Sequence, residues 1–285
     1  MRTQTTVVAG DGHLHFYPDY QVETALECLA GNLTRLAQSA AGAAAAPELV
    51  RVGLLTESRD LNFFERLRDG SALSQAGPWK AAPGPEANVL RLTRQDGLRL
   101  FLFAGRQIVT CEKIEILGLI MNQIIPDGLP AGETIRRISA GGGLPAIPWA
   151  PGKWFFRRGK LVEFLIRQSS ADSLLIGDSS LRPIGWPRPR LMRLAGRRGL
   201  TVIPGSDPLP FPGEERLMGT YGFIYEGEFA ADRPATALRH ILFNAPAIRP
   251  AGRRGRLWPT VLRLGRNLAA QRGRMPPGAS AHPPT

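Results

Sequence analysis

Histidine and cysteine are scarce in this chain of 285 residues, which contains four histidines and two cysteines. Two cysteines are too few for the disulfide framework of a small secreted domain, so they favour a reducing compartment. No apolar run approaches the roughly 20 residues that cross a bilayer. The N-terminal stretch MRTQTTVVAGDGHLHF lacks the apolar core of a signal peptide. The sequence therefore predicts a cytoplasmic protein.

Acidic residues are absent from the end of the chain. Residues 249–285 contain eight arginines and no Asp or Glu, so they carry most of the net charge of +12. Residues 1–248 are nearly balanced and show no basic recognition helix or aromatic-and-basic sheet motif, so we expect no specific nucleic-acid partner. These differences predict a folded domain over 1–248 and a basic, largely disordered tail over 249–285.

Part of this tail has the composition of a short amphipathic helix. In residues 256–274, leucine and valine alternate with arginine. Such a helix can contact an anionic membrane surface or an acidic partner. Pro259 and the interior glycines favour the alternative, a disordered basic segment.

Strand-like and helix-like segments alternate through residues 1–248. This alternation predicts parallel β-α units, and five or six such units in about 245 residues predict a TIM-type β/α barrel, regular or distorted. An open doubly wound sheet is the alternative. Asp96-Gly97 between two strand-like runs predicts an inserted β-hairpin. The first strand is not followed by a Gly-rich phosphate-binding turn, which argues against a nucleotide-binding fold.

Two of the four histidines, His13 and His15, come directly after the first predicted strand. Side chains two residues apart on an extended chain point the same way, so both imidazoles can reach one metal ion. Neutral imidazole and carboxylate ligands suit Zn²⁺, Fe²⁺ or Mn²⁺. The alternative is that both histidines only hydrogen-bond a loop.

Ionisable residues also follow several later predicted strands, and the carboxyl ends of neighbouring parallel strands converge in space. We therefore expect a common site that includes Glu57, Lys153, Asp178 and Asp207. Asp207 is the best candidate for a carboxylate that acts as a base towards water. Asp178 has an alternative role, which is to cap the turn that follows it.

The stretches GHLHFYP, PWAPGKW and GSDPLP, at residues 12–18, 148–154 and 205–210, carry a resemblance. GHLHF in the first stretch and GSDP in the last resemble metal-dependent hydrolases of the amidohydrolase and PHP (polymerase and histidinol phosphatase) type. All three stretches together look similar to uncharacterised bacterial proteins that carry these motifs. Those hydrolases are β/α barrels with H-x-H on the first strand and Asp on the last.

The resemblance implies that His13, His15 and Asp207 are metal ligands. Both families supply further histidines from middle strands, whereas this chain has none between His15 and His240. One divalent ion is therefore expected rather than several, with Glu57, Glu115 and Asp178 as the candidates for further ligands. Asp207 or Asp178 would then transfer the proton.

The loop around PWAPGKWFF brings aromatic and basic residues together. Lys153 and Trp154 are candidate substrate-binding residues, because an amine is a good partner for a phosphate or carboxylate. Arg182 is a third candidate. The alternative is an aromatic-lined loop with a solvated basic face.

Together these features predict a metal-dependent hydrolase that acts on a small, anionic substrate by metal-activated water. A phosphoester is the first expected substrate and an amide the second. The alternative is a non-catalytic barrel that has lost metal ligands and serves as a binding or scaffold protein.

Overall fold

The computed structural model describes residues 6–40, 48–243 and 248–273. The strands of these residues form two mixed sheets, one of seven strands and one of five. The strands are β1 (Thr6–Leu14), β2 (Glu48–Leu55), β3 (Trp79–Pro83), β4 (Val89–Arg94), β5 (Arg99–Phe103), β6 (Gly105–Val109), β7 (Glu115–Leu119), β8 (Leu144–Pro148), β9 (Leu175–Ser179), β10 (Val202–Gly205), β11 (Tyr221–Gly227) and β12 (Arg249–Gly252). The helices are α1 (Val22–Ala40), α2 (Phe63–Arg68), α3 (Ala131–Ala140), α4 (Phe156–Gln168), α5 (Arg190–Arg197), α6 (Pro234–Phe243) and α7 (Leu257–Gly273).

The first sheet has the strand order β12-β11-β1-β2-β5-β4-β3. β1 runs parallel to β2, and β2 runs parallel to β5. All nine residues of β1 are buried, because α1 covers one face and the second sheet covers the other. Burial on both faces fits the apolar start of β1, where Val7, Val8 and Ala9 are consecutive. The hairpin predicted at Asp96-Gly97 is confirmed, since it joins the antiparallel strands β4 and β5.

The second sheet has the order β10-β9-β8-β7-β6. Strands β8, β9 and β10 are parallel, whereas β6, β7 and β8 are antiparallel. Helices α3, α4 and α5 cover its outer face, where Ile147 and Ile176 pack against Val162 and Met192. Its inner face shares a core with the first sheet.

The predicted TIM-type barrel is wrong, because the hydrogen-bonded strands form two separate mixed sheets. The chain passes from β5 of the first sheet to β6 of the second and returns to the first at β11. Antiparallel pairs also interrupt the parallel β-α pattern. A local alternation of strand-like and helix-like segments predicts elements, but strand order depends on contacts between distant segments.

The two sheets meet where β1 and β10 end. The Asp207 backbone N–H donates to the His13 carbonyl at 3.0 Å, and the Ser206 N–H donates to Asp11 Oδ1 at 2.9 Å. A second contact joins the sheets at Glu57 and Arg106, which form an isolated parallel bridge. Residues from both sheets therefore converge at one end of the shared core.

Part of the predicted tail is ordered structure. β12 pairs with β11 at the edge of the first sheet, and α7 follows it. Residues 274–285 lie outside the described residues. Among the described residues, no helix combines the length and apolar character that crossing a bilayer requires.

Candidate metal centre and its cavity

The Nε2 atoms of His13 and His15 lie next to each other. His13 Nε2 lies 3.0 Å from His15 Nε2, and both side chains are buried. Leu14 points the opposite way and is fully buried in the core under α1. The alternation of side chains along an extended segment therefore brings the two imidazoles together, as predicted.

Asp207 completes the group from the other sheet. Its Oδ1 lies 3.6 Å from His13 Nε2 and 3.8 Å from His15 Nε2. Its Oδ2 accepts a hydrogen bond from Ser179 Oγ at 2.8 Å. Asp207 has a φ of +50°, which few non-glycine residues adopt and which costs backbone free energy. The hydrogen bond from its N–H to the His13 carbonyl holds this conformation.

His13, His15 and Asp207 together form a group that could hold a metal ion, with one ligand atom from each residue within 4.8 Å of the others. Zn²⁺ and similar ions bind nitrogen and oxygen ligands at roughly 2.0–2.2 Å, which places ligand atoms about 3.0–3.5 Å apart. The observed separations of 3.0–3.8 Å are close to this range. Two imidazoles and one carboxylate also leave coordination positions open, as in catalytic metal sites.

Burial keeps the His15 ring neutral. It lowers the pKa of His15 from 6.5 to about 3, and the neighbouring His13 ring acts in the same direction. The Asp207 carboxylate opposes this shift. A neutral imidazole is the form that binds a metal, so His15 needs to lose no proton near neutral pH.

Asp11 fixes the positions of the ligand-bearing segments. Its carboxylate is fully buried and accepts backbone hydrogen bonds from His13 at 3.1 Å, Ser206 at 2.9 Å and Gly219 at 2.8 Å. Burial raises the pKa of Asp11 to about 6, and the hydrogen bonds oppose that rise. Asp11 was not among the predicted site residues, although the stretch DGHLH contains it.

Gly205 allows the two sheets to approach at the metal group. A Cβ atom at this position would lie 2.4 Å from both the Cβ and the backbone nitrogen of His13. Substitution by alanine would therefore push β10 away from β1.

We expect Gly205→Ala to destabilise the fold by about 1–3 kcal/mol, the usual cost of overpacking a tight contact. The same change should weaken metal binding, because it displaces Asp207 relative to His13. Denaturant unfolding and metal titration measure the two effects. Gly132→Ala is the matched control, since a Cβ there meets nothing within 4 Å. Equal stability of the two variants would contradict this account of Gly205.

Glu57 does not join the metal group, contrary to the prediction from its strand-end position. Its Oε1 accepts the Phe64 backbone N–H at 3.0 Å, and its Oε2 lies 3.5 Å from Arg106 Nη1. Burial raises the pKa of Glu57, and the Phe64 hydrogen bond and Arg106 oppose that rise. The carboxylate therefore joins the start of α2 to β6.

Asp178 and Arg182 also lie apart from the metal group. They pair with each other at 2.5 and 2.8 Å, and Asp178 accepts a further hydrogen bond from the Tyr221 hydroxyl at 2.7 Å. They line a different cavity of about 550 Å³. Because successive side chains of a strand point to opposite faces, Ser179 rather than Asp178 reaches Asp207.

The loop after β8 contributes one of its two predicted substrate-binding residues. Lys153 lines the cavity at the metal group, and its Nζ pairs with Glu115 Oε1 at 2.9 Å. Trp154 is buried in the core beneath α4, where its indole N–H donates to the Pro148 carbonyl at 3.2 Å. Trp149, one residue after β8, lines the cavity instead.

The cavity has a volume of about 790 Å³, which suits a small molecule. Its described lining residues include two basic side chains, Arg59 and Lys153, and a larger number of carboxylates. The carboxylates are Asp19, Asp60, Glu115, Asp127 and Asp207. Leu264, Asn267 and Leu268 of α7 close one side. The prediction considered only residues that follow strands, so it could not include α7 in the cavity wall.

Comparison with known proteins shows a similarity of fold. No family model and no curated protein matches this chain. The crystal structure of PsfC from Pseudomonas syringae PB-5123 is similar, with a TM-score of 0.55 and 13% sequence identity. The match covers 96% of this chain and 100% of PsfC. The two proteins are therefore similar in overall fold over nearly the whole of this chain.

Proposed function

We propose that this chain is a metal-dependent hydrolase of small substrates and that His13, His15 and Asp207 hold one divalent cation. The convergence of three ligand atoms from two sheets carries the proposal. A bound divalent cation would supply the polarisation of water that hydrolysis needs. The proposal agrees with the resemblance to amidohydrolase and PHP proteins in the histidine pair and in Asp207.

The chain's own residues would orient the substrate and transfer the proton. Lys153 gives one of its three N–H donors to Glu115, so the others remain available to an anionic group. Asp207 is the proton acceptor at the metal group, with Ser179 Oγ holding its second oxygen. A phosphoester is the preferred substrate class and an amide the second.

The charge of the cavity wall makes substrate binding depend on the cation. Carboxylates outnumber basic side chains among the described lining residues, so an anionic substrate is repelled when no cation is present. Phosphate should therefore bind to the metal-loaded chain and not to the chelator-treated chain.

The test is turnover of p-nitrophenyl phosphate and of a cyclic amide by the chelator-treated chain before and after addition of Zn²⁺, Fe²⁺ or Mn²⁺. We expect metal-dependent turnover that Asp207→Asn lowers roughly 10²- to 10⁴-fold, the range that general acid-base groups contribute. Lys153→Met should raise the KM for the phosphoester about tenfold. Lys160→Met is its matched control, since Lys160 is exposed and does not line the cavity.

Stoichiometric metal without turnover of either substrate would favour the alternative, a non-catalytic binding protein. Turnover that Asp207→Asn leaves unchanged would contradict the assignment of the site.

A further inference from the structure

The outward face of α7 is apolar. Its large exposed residues are between 45% and 74% exposed, and they are Leu257, Trp258, Val261, Leu262 and Leu268. With 3.6 residues per turn, these positions share one face. The opposite face holds Thr260, which is buried, and the half-buried Arg263 and Asn267. This is the reverse of a surface helix that packs its apolar side on the core.

Specific contacts hold α7 in this orientation. The Arg263 guanidinium makes two hydrogen bonds to the Glu214 carboxylate, at 2.8 and 2.6 Å. The Arg266 guanidinium lies over the Phe211 ring, 4.8 Å from its centre. Both partners belong to the loop between β10 and β11. The apolar face therefore points outwards because the polar face is bound to the domain.

Two further exposed apolar residues lie on a loop that is hydrogen-bonded to the segment just before α7. The Ile184 N–H donates to the Gly255 carbonyl at 2.8 Å, and Arg254 Nη1 donates to the Trp186 carbonyl at 3.5 Å. Ile184 and Trp186 are 53% and 47% exposed. We call these two residues and the five apolar α7 residues the outer apolar surface. Contiguous exposed apolar patches of this kind mark interaction sites.

Along the chain, the residues that flank the outer apolar surface are basic. Arg253 and Arg256 are exposed just before α7, and Arg266 is exposed at its edge. The last acidic residue of the whole sequence is Asp232. The partner of this surface should therefore be apolar and anionic at once.

We propose that the outer apolar surface docks on an anionic lipid bilayer. Bilayers combine acyl chains that accept Trp258 and Leu262 with head groups that attract arginine. A second copy of the chain would bring arginines of like charge together. The segments outside the described residues have too few large apolar side chains to cover the surface.

Docking through α7 would bring one wall of the metal cavity close to the membrane. Leu268 belongs both to the outer apolar surface and to the cavity lining. The docking proposal stands without the hydrolase proposal, because it rests on α7 and the loop beside it.

The test is flotation of the full chain with phosphatidylcholine vesicles that contain or lack about one-third phosphatidylglycerol. We expect binding to the anionic vesicles that weakens as salt rises. Trp258→Ala with Leu262→Ala should lower the partition coefficient at least about tenfold. Arg253→Ala with Arg256→Ala should lower it by roughly fivefold for each arginine.

The control variants replace exposed residues outside the outer apolar surface. Phe164→Ala removes an apolar residue that is 56% exposed on α4, and Arg91→Ala removes an exposed arginine on β4; neither should change binding. The proposal is overturned if the wild-type chain does not bind anionic vesicles, or if the variant with Trp258→Ala and Leu262→Ala binds them as strongly as the wild type. Sedimentation that shows a dimer lost in this variant, without vesicle binding, would assign the surface to a second copy instead.

Discussion

Replacing His13 and His15 together by alanine is expected to reduce bound divalent metal from near one ion per chain to background. The two Nε2 atoms supply two of the three clustered ligand atoms, and one carboxylate alone binds a divalent ion weakly. The measurement is elemental mass spectrometry after anaerobic reconstitution with zinc, iron or manganese.

His240→Ala is the matched control for this loss, because His240 is an exposed residue on α6, outside the metal group. Its metal content should equal that of the wild type. Metal that persists in the double variant would show that the ion binds elsewhere. A wild-type chain that takes up no metal under any of these conditions would remove the basis of the hydrolase proposal.

Asp178→Ala is expected to destabilise the fold by about 3–5 kcal/mol and to leave metal binding by the folded chain intact. Arg182 is 8% exposed at its side chain, so loss of Asp178 leaves a buried guanidinium without its carboxylate. The Tyr221 hydroxyl loses its acceptor as well. Urea unfolding measures the first effect and metal titration the second.

Asp172→Ala is the control for this experiment, since Asp172 is exposed and hydrogen-bonds only to a nearby serine among the described contacts. Its free energy of unfolding should change by less than about 0.5 kcal/mol. If the Asp178→Ala variant were as stable as the wild type but bound no metal, Asp178 would be assigned to the metal site, as the sequence predicted.

The metal group was predictable because it follows from local rules. His13 and His15 share a face through the two-residue period of an extended chain. Asp207 was predicted from its position after a strand, but it reaches the histidines from the other sheet and not from a neighbouring parallel strand. Lys153 was found by the same reasoning, and it does line the cavity. These rules need no knowledge of strand order.

Other residues could not be placed, because their partners come from distant segments. Glu57 does follow a strand, but Arg106 of the second sheet and Phe64 of α2 engage it. Asp178 and Ser179 are consecutive, and only the observed register shows which of them faces Asp207. The barrel prediction failed for the same reason, since a local pattern does not specify which sheet a strand joins.

The origin of the ligands in different sheets has a thermodynamic consequence. His13 lies in β1 and His15 directly follows it, whereas Asp207 follows β10, so an ion held as proposed would tie the two sheets together. Only the folded chain assembles this ligand set, so metal occupancy becomes folding free energy. Each tenfold rise in free cation above the dissociation constant would then add about 1.4 kcal/mol to stability. The concentration of free metal would thus set the folded fraction of the protein as well as its hydrolase activity.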